Sequence, residues 1–162
     1  MSSFTMEEQE LDQWCWAAVG VSVNNYIVPD QVISQEDLAA RVLGLPGGCS
    51  GAAAAACDRP ASLTQVLNVL HRQAGDPIVG PVGFAQVQRA IDAGWPIPVR
   101  IVWDDAAGNA HFVVISGYSV SPRGIARVQV DDPFYGRSIV DYDTFVSSYL
   151  GSGQWERTYK VA

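Results

Sequence analysis

The first half of the chain carries apolar residues at helical spacing, beginning with an almost wholly apolar run. WCWAAVGVSVNNY predicts a mostly buried helix from Cys15 to about Tyr26, which we expect Asp12 or Gln13 to cap and Pro29 to stop. Three shorter helices follow, each ended by a glycine. They are predicted at Gln35–Leu43, Leu63–Ala74 and Phe84–Ala93, the first two capped by Ser34 and Ser62, and a compact loop or short helical turn is predicted at Pro46–Pro60.

The second half changes to short, β-branched stretches separated by turn-forming segments such as DDAAGN and SPRG. Because helices precede strands and no βαβ alternation occurs, the pattern predicts an α+β fold in a single domain, residues 1–162. Strands are predicted at Ile97–Trp103, His111–Tyr118, Ile125–Asp131, Arg137–Val140 and Gln154–Val161, with a helix at Asp143–Leu150. A side chain on the first helix and one on a strand would then meet in the cleft between the two halves.

Composition narrows the class of partner. The net charge is −7 and Lys160 is the only lysine, so nucleic acid and an acidic membrane surface are disfavoured. No apolar stretch reaches the length of a membrane-spanning helix, and the first residues are too polar for a secretory signal peptide. We expect a monomer that is secreted or delivered to a host cell by another route, the alternative being a cytoplasmic protein.

The three cysteines divide into a pair and a single thiol. Cys49 and Cys57 lie close together in a Gly/Ala-rich loop and are predicted to form a disulfide, the alternative being two inert reduced thiols. A disulfide there would imply an oxidising destination. Cys15 falls in the first turn of its helix, where unpaired N–H groups and the positive dipole end favour a thiolate. We interpret it as a nucleophile rather than as a small buried apolar residue.

A glutamine six residues before this thiol is a candidate oxyanion donor. The Gln9 amide and the backbone N–H of Cys15 could together stabilise a tetrahedral oxyanion. Gln13, two residues before the thiol, competes for this role and ranks behind Gln9.

Of the two histidines, only one is a candidate base. His71 lies in the polar helix end HRQAG, where a solvated side chain is the ordinary explanation. His111 shares a strand face with Val113 and Ile115, so its imidazole is predicted to point inward and to need a partner. In VQVDDP, Asp132 has the parity of the inward residues and is predicted to orient His111, whereas Asp131 is expected to point outward.

Other kinds of site find little support. The cysteines and histidines lack the paired spacing of a zinc site, and no glycine-rich phosphate loop follows a strand. We therefore expect neither a metal nor a cofactor.

The order Gln-x5-Cys-Trp-Ala, then His on a strand, then Asp-Pro resembles papain-like cysteine peptidases in their minimal bacterial form. The segments QWCWAA, GNAHFVVISGYS, VDDPFYG and YDTFVSSYLGSG most resemble the avirulence-effector cysteine proteases of plant-associated bacteria, and more distantly the double-glycine leader peptidases. The resemblance implies a papain-like fold, with N-terminal helices packed against a C-terminal antiparallel sheet. It also implies a small residue such as Gly beside the cleaved bond, and Phe134 in the place of the indole that shields the His–Asp contact.

The sequence thus predicts a cysteine endopeptidase that hydrolyses polypeptides through a thioester on Cys15, with His111, Asp132 and Gln9 assisting. An amidase, a deamidase or an acyltransferase would use the same triad of Cys15, His111 and Asp132 and remains an alternative. A catalytically silent peptide-binding module is a further alternative, although such a module has no need of all three.

Overall fold

Helices occupy the first half of the chain and an antiparallel sheet the second, so the predicted α+β class is confirmed. The computed structural model describes residues 4–104 and 109–162, and most of the predicted turn DDAAGN lies outside them. No helix in these two ranges is long and apolar enough to cross a membrane. The helices are α1 (Cys15–Ile27), α2 (Gln35–Leu43), α3 (Ala54–Cys57), α4 (Leu63–Val69), α5 (Phe84–Asp92) and α6 (Tyr142–Ser148), with a 3-10 turn at Gly51–Ala53. The strands are β1 (Ile78–Val79), β2 (Ile97–Trp103), β3 (Ala110–Val120), β4 (Ala126–Asp132), β5 (Gly136–Asp141) and β6 (Gly153–Thr158).

The sheet has the strand order β1-β6-β2-β3-β4-β5, and each pair of neighbours is antiparallel. Because side chains alternate between its faces, the sheet divides the buried residues into two cores. Phe112 and Val114 of β3 pack with the first four helices in what we call the helical core. Val113 and Ile115 pack on the other face with α5 and α6 in the sheet core.

α1 is the central helix of the helical core and contacts α2, α4 and β3. Gly20 allows this close approach, because a Cβ there would lie 2.5 Å from Val66 Cγ1 and 2.9 Å from Leu38 Cδ2. A larger residue would push neighbouring helices away from α1. Gly20 thus lets α2 and α4 pack directly against the middle of the helix that begins at Cys15.

Several predicted helix ends are wrong. The N-cap of α1 is Trp14 without a side-chain cap, so neither Asp12 nor Gln13 caps it, and Ser62 makes no cap bond to α4. α4 ends at Val69 because His71 adopts a left-handed backbone (φ 55°) and Gln73 then pairs with Val161 at the sheet. Ser34 does cap α2, and Gly44 ends that helix in the left-handed region, as predicted.

The C-terminal elements also end earlier than expected. α6 stops at Ser148 rather than at Leu150, since Leu150 has φ 50°, and β6 stops at Thr158. β1 was not predicted, because two residues are too few to give a pattern.

Candidate active site

Cys15 and His111 come from different halves of the fold and meet at the cleft between α1 and the sheet. Cys15 is the first residue of α1, so its backbone N–H belongs to the first turn, where no acceptor within the helix is available. The side chain of Cys15 is close enough to the imidazole of His111, at the start of β3, to raise the pKa of that ring. The predicted nucleophile and base thus lie near each other.

Asp132 holds the other side of the same ring. Its Oδ1 lies 2.8 Å from His111 Nε2, which leaves Nδ1 for the thiol. The same oxygen accepts the backbone N–H groups of Phe134 and Tyr135 at 2.8 and 2.9 Å, and Oδ2 accepts the hydroxyl of Tyr149 at 2.9 Å. The carboxylate is buried and its position is fixed by four donors.

Asp131 has a separate set of partners on the opposite face. The expectation that it points outward is wrong, because it is 3% exposed and its Oδ1 accepts from Arg137 Nε at 2.7 Å. Ser116 donates to its other oxygen. Because successive side chains of β4 point to opposite faces of the sheet, Asp132 and not Asp131 faces His111.

These contacts set the charge of the site. Burial acts to lower the pKa of His111, but the hydrogen bonds to Asp132 and Cys15 and their charges outweigh it and raise this pKa to about 9. Burial acts to raise the pKa of Asp132, yet the bonds from His111, Tyr135 and Phe134 lower it overall. At neutral pH the ring is therefore an imidazolium beside a carboxylate, and it can donate a proton.

Aromatic rings shield this ion pair, but Phe134 is not one of them. Trp103 stacks on His111, with ring centroids 6.5 Å apart and an angle of 22° between the planes. The same indole also stacks on Tyr149, with centroids 6.3 Å apart and an angle of 18°. Phe134 is 56% exposed and contacts Tyr135 instead. The expectation for Phe134 is wrong. The resemblance matched only its position in the loop after Asp132, and a matched position does not fix where the side chain points.

Sequence reasoning missed Trp103 and Tyr149. The pairing of Ile101 with His111 across β2 and β3 places Trp103, two residues further on the same face, beside the imidazole. That signal appears only once the register is known. Burial and Asp132 both raise the pKa of the Tyr149 hydroxyl, so it stays a neutral donor.

Gln9 lies in the segment before α1, where its backbone N–H donates to Pro133 O at 3.0 Å. Its side-chain nitrogen donates to Leu11 O at 2.9 Å and Asp12 O at 2.8 Å, so the amide shapes the turn that leads to Cys15. Gln13 is exposed and lines the groove beside the thiol. A role for either residue as an oxyanion donor stays a prediction.

The segment around the thiol is held by the loop that contains the other two cysteines. The structure joins Cys49 to Cys57 in a disulfide, the pairing that the sequence favoured. Trp14 Nε1 donates to Cys57 O at 2.9 Å, and Gln13 N donates to Asp58 Oδ1 at 2.8 Å. Trp16 Nε1 donates to Arg59 O at 3.0 Å. The loop therefore fixes the residues on both sides of Cys15.

A groove of about 500 Å³ opens beside Cys15 and Trp16, and we call it the Cys15 groove. Its walls come from the start of α1, the segment 60–62, the start of β3 and residues of β2 and β6. A larger groove of about 700 Å³ lies beside Asp131–Arg137, but Cys15 does not line it. Cys15 itself is buried, with 9% of its surface exposed, and the Cys15 groove is the open space that it lines.

Within the described ranges, no group of three or more His, Cys, Asp or Glu side chains could hold a metal ion. His71 is exposed at the end of α4.

The geometry joins a thiol at a helix N-terminus, an imidazolium and an orienting carboxylate, which is the arrangement of a cysteine hydrolase. No curated protein matches the chain. The family model described as Peptidase_C39 like family matches residues 2–162. The chain therefore belongs to the Peptidase_C39 like family, and this membership indicates a cysteine peptidase with a polypeptide substrate.

Proposed function

We propose that this protein is a cysteine endopeptidase that cleaves polypeptides through a thioester on Cys15. The observation that carries the proposal is the chain of contacts from the Cys15 side chain through the His111 ring to Asp132, beside an open groove. Family membership supports the same chemistry.

In the proposed mechanism the Cys15 thiolate attacks the scissile carbonyl carbon, and the carbonyl oxygen becomes an oxyanion. His111 gives its proton to the amide nitrogen, the C–N bond breaks and the amine leaves, so that the acyl group remains on sulfur. His111 then takes a proton from water, whose oxygen attacks the thioester carbonyl carbon; the C–S bond breaks, the acid leaves, and the Cys15 thiolate and the imidazolium are restored. Asp132 keeps the ring oriented throughout.

We assign the oxyanion to the backbone N–H of Cys15, which projects from the first turn of α1, with Gln9 as the second donor. For Gln9 to act, its amide must leave the carbonyl groups of Leu11 and Asp12 when substrate binds. Gln13 is the competing donor because it already lines the Cys15 groove.

The decisive experiment is Cys15→Ala, tested on an unstructured protein substrate after circular dichroism has shown an unchanged fold. We expect complete loss of cleavage, and the appearance of new N-termini with the unmodified protein. Continued cleavage by the variant would exclude this mechanism. Release of ammonia without new N-termini would instead favour the amidase or deamidase alternative.

The proposal also covers the compartment, the class of partner and the oligomeric state of the protein. The Cys49–Cys57 disulfide supports a secreted or delivered protein, since such bonds persist in oxidising surroundings. The net charge of −7 supports a polypeptide rather than a nucleic-acid partner, and we propose a monomer.

A further inference from the structure

Two arginines from neighbouring strands line the Cys15 groove. Arg100 of β2 pairs with Phe112 of β3 on one side and with Arg157 of β6 on the other. Residues paired across antiparallel strands point to the same face, and Phe112 belongs to the helical core. Both guanidinium groups therefore lie on the face where α1 presents Cys15.

A β-bulge brings one carboxylate to both arginines. The register between β2 and β6 shifts so that Arg100 faces Arg157 while Ile101 faces Trp155, which leaves Glu156 as the extra residue. A bulge redirects the side chain of the inserted residue. The Glu156 carboxylate lies 2.8 Å from Arg100 Nη1 and 3.1 Å from Arg157 Nη2.

The cluster of Arg100, Arg157 and Glu156 carries a net positive charge in a protein that is acidic overall. Two guanidinium groups share the Glu156 carboxylate, and none of the described residues that line the Cys15 groove is acidic. The chain as a whole has a net charge of −7, so the local excess of positive charge runs against the overall balance. Like charges opposite each other in a sheet are unfavourable, and one carboxylate compensates only one of them.

The two guanidinium groups can be reached from the groove. The Arg100 and Arg157 side chains are 29% and 38% exposed, and each carries five N–H donors. Burial raises the pKa of the Tyr159 hydroxyl; Arg157 and Arg100 act to lower it and Glu156 acts to raise it, so all three charges lie close to this groove-lining residue.

We propose that the Cys15 groove selects polypeptides with an acidic side chain close to the cleaved bond, and that Arg100 and Arg157 are the residues that determine this specificity. The inference rests on the proposed function, because it assumes that the cleaved bond lies at Cys15. A substrate carboxylate would join Glu156 between the two guanidinium groups and supply the second negative charge. Arginine is suited to this role because its planar N–H groups match a carboxylate.

The test uses fluorogenic peptides in a Gly/Ala scaffold, with Glu or its neutral isostere Gln placed in turn at three positions on each side of the cleaved bond. At one position we expect the Glu peptide to have a kcat/KM about tenfold higher than the Gln peptide. Arg100→Gln and Arg157→Gln should each reduce this ratio, whereas Glu156→Gln should increase it, because the competing carboxylate is removed. A cluster that only stabilises the fold would change the rates on both peptides equally.

Arg127→Gln is the matched control, because Arg127 forms its ion pair with Asp141 at the far end of β4. It should leave the Glu/Gln ratio unchanged. The proposal is overturned if the unmodified enzyme does not distinguish Glu from Gln at any position, or if both groove variants keep the original ratio.

A binding assay separates this inference from the proposed function. The Cys15→Ala protein is titrated with the same Glu and Gln peptides, and fluorescence anisotropy gives their relative affinities without any cleavage. Tighter binding of the Glu peptide, lost in a Cys15→Ala/Arg157→Gln protein, supports the groove assignment even if the unmodified protein cleaves nothing. Equal binding of the two peptides refutes it, whatever the catalytic result.

Discussion

Asp131 and Asp132 are neighbours in β4, but their carboxylates bind different partners on opposite faces of the sheet. Asp132 accepts from His111 Nε2 at 2.8 Å, and Asp131 accepts from Arg137 Nε at 2.7 Å. Because the two carboxylates have different partners, substitution of Asp131 serves as the control for substitution of Asp132, the proposed partner of the catalytic ring.

We expect Asp132→Asn to lower kcat/KM by about 10²–10⁴-fold, because a neutral amide removes the negative charge that stabilises the imidazolium. Asp131→Asn should lower the free energy of unfolding by about 1–3 kcal/mol, since a buried charged partner of Arg137 is lost, and leave kcat/KM within about threefold. Steady-state kinetics and urea unfolding measure the two effects. Equal losses of activity in both variants would argue against a specific role for Asp132.

The pH dependence follows from the imidazolium. With a His111 pKa of about 9, the proton needed by the leaving amine is present at neutral pH and is lost as pH rises through about 9. We expect kcat/KM to fall with an alkaline midpoint near that value. Asp132→Asn should move the midpoint to lower pH, because its hydrogen bond and charge raise the His111 pKa.

The same shifts affect stability with opposite signs. The raised pKa of His111 adds stability that is fully present below its ordinary value of 6.5 and is lost as pH rises through about 9. The lowered pKa of Asp132 adds stability at neutral pH that is lost as the carboxylate becomes protonated in acid. Thermal unfolding as a function of pH should show both trends, and Asp132→Asn should weaken both.

Trp103, rather than Phe134, is expected to shield the ion pair. Trp103→Ala would expose the His111–Asp132 contact to water, which relieves the burial that lowers the His111 pKa but also screens the bonds and charges that raise it. Because the raising effects are the larger sum, we expect the His111 pKa to move back toward its ordinary value of 6.5 and the alkaline midpoint to move to lower pH. Phe134→Ala is the control and should leave the midpoint unchanged. The imidazole signals in NMR titrations report the His111 pKa directly, and a shift in the Phe134 variant alone would reverse the assignment.

Removal of the disulfide should affect both the fold and the thiol. We expect Cys49→Ser/Cys57→Ser to lower the free energy of unfolding by about 2–3 kcal/mol, from the entropy of the opened loop. It should also lower kcat/KM, because the carbonyl groups of Cys57 and Arg59 hold the two indoles beside Cys15. A loss of stability without a loss of activity would show that the loop does not position the nucleophile.

The roles of Gln9 and Gln13 can be distinguished by measuring two rates, that of peptide cleavage and that of Cys15 alkylation. We expect Gln9→Ala to lower kcat/KM by about 10²–10³-fold and Gln13→Ala to have little effect, if Gln9 is the side-chain oxyanion donor. Alkylation of Cys15 by iodoacetamide forms no oxyanion, so its rate should hardly change in either variant. A parallel loss in both rates for Gln9→Ala would mean that Gln9 acts only through the turn before α1.

Local patterns predicted most of the helices and strands, although not β1, and they singled out Cys15, His111 and Asp132, whose catalytic roles stay predictions. β2 was predicted to the residue, because its β-branched run ends at clear turns, and alternation in β4 selected Asp132 over Asp131. The surroundings of the site could not be predicted. Trp103 lies beside His111 only through the register of β2 and β3, and Glu156 reaches Arg100 only through a bulge.

The alternation of β3 has a consequence for folding. His111 and Phe112 are adjacent and point to opposite sides, so a slip of one residue against β2 and β4 would exchange them and aim a phenyl ring at Asp132. A chain misassembled in this way would contain every reactive atom and still be inert. Measured peptidase activity would therefore also show that β3 has paired in the correct register.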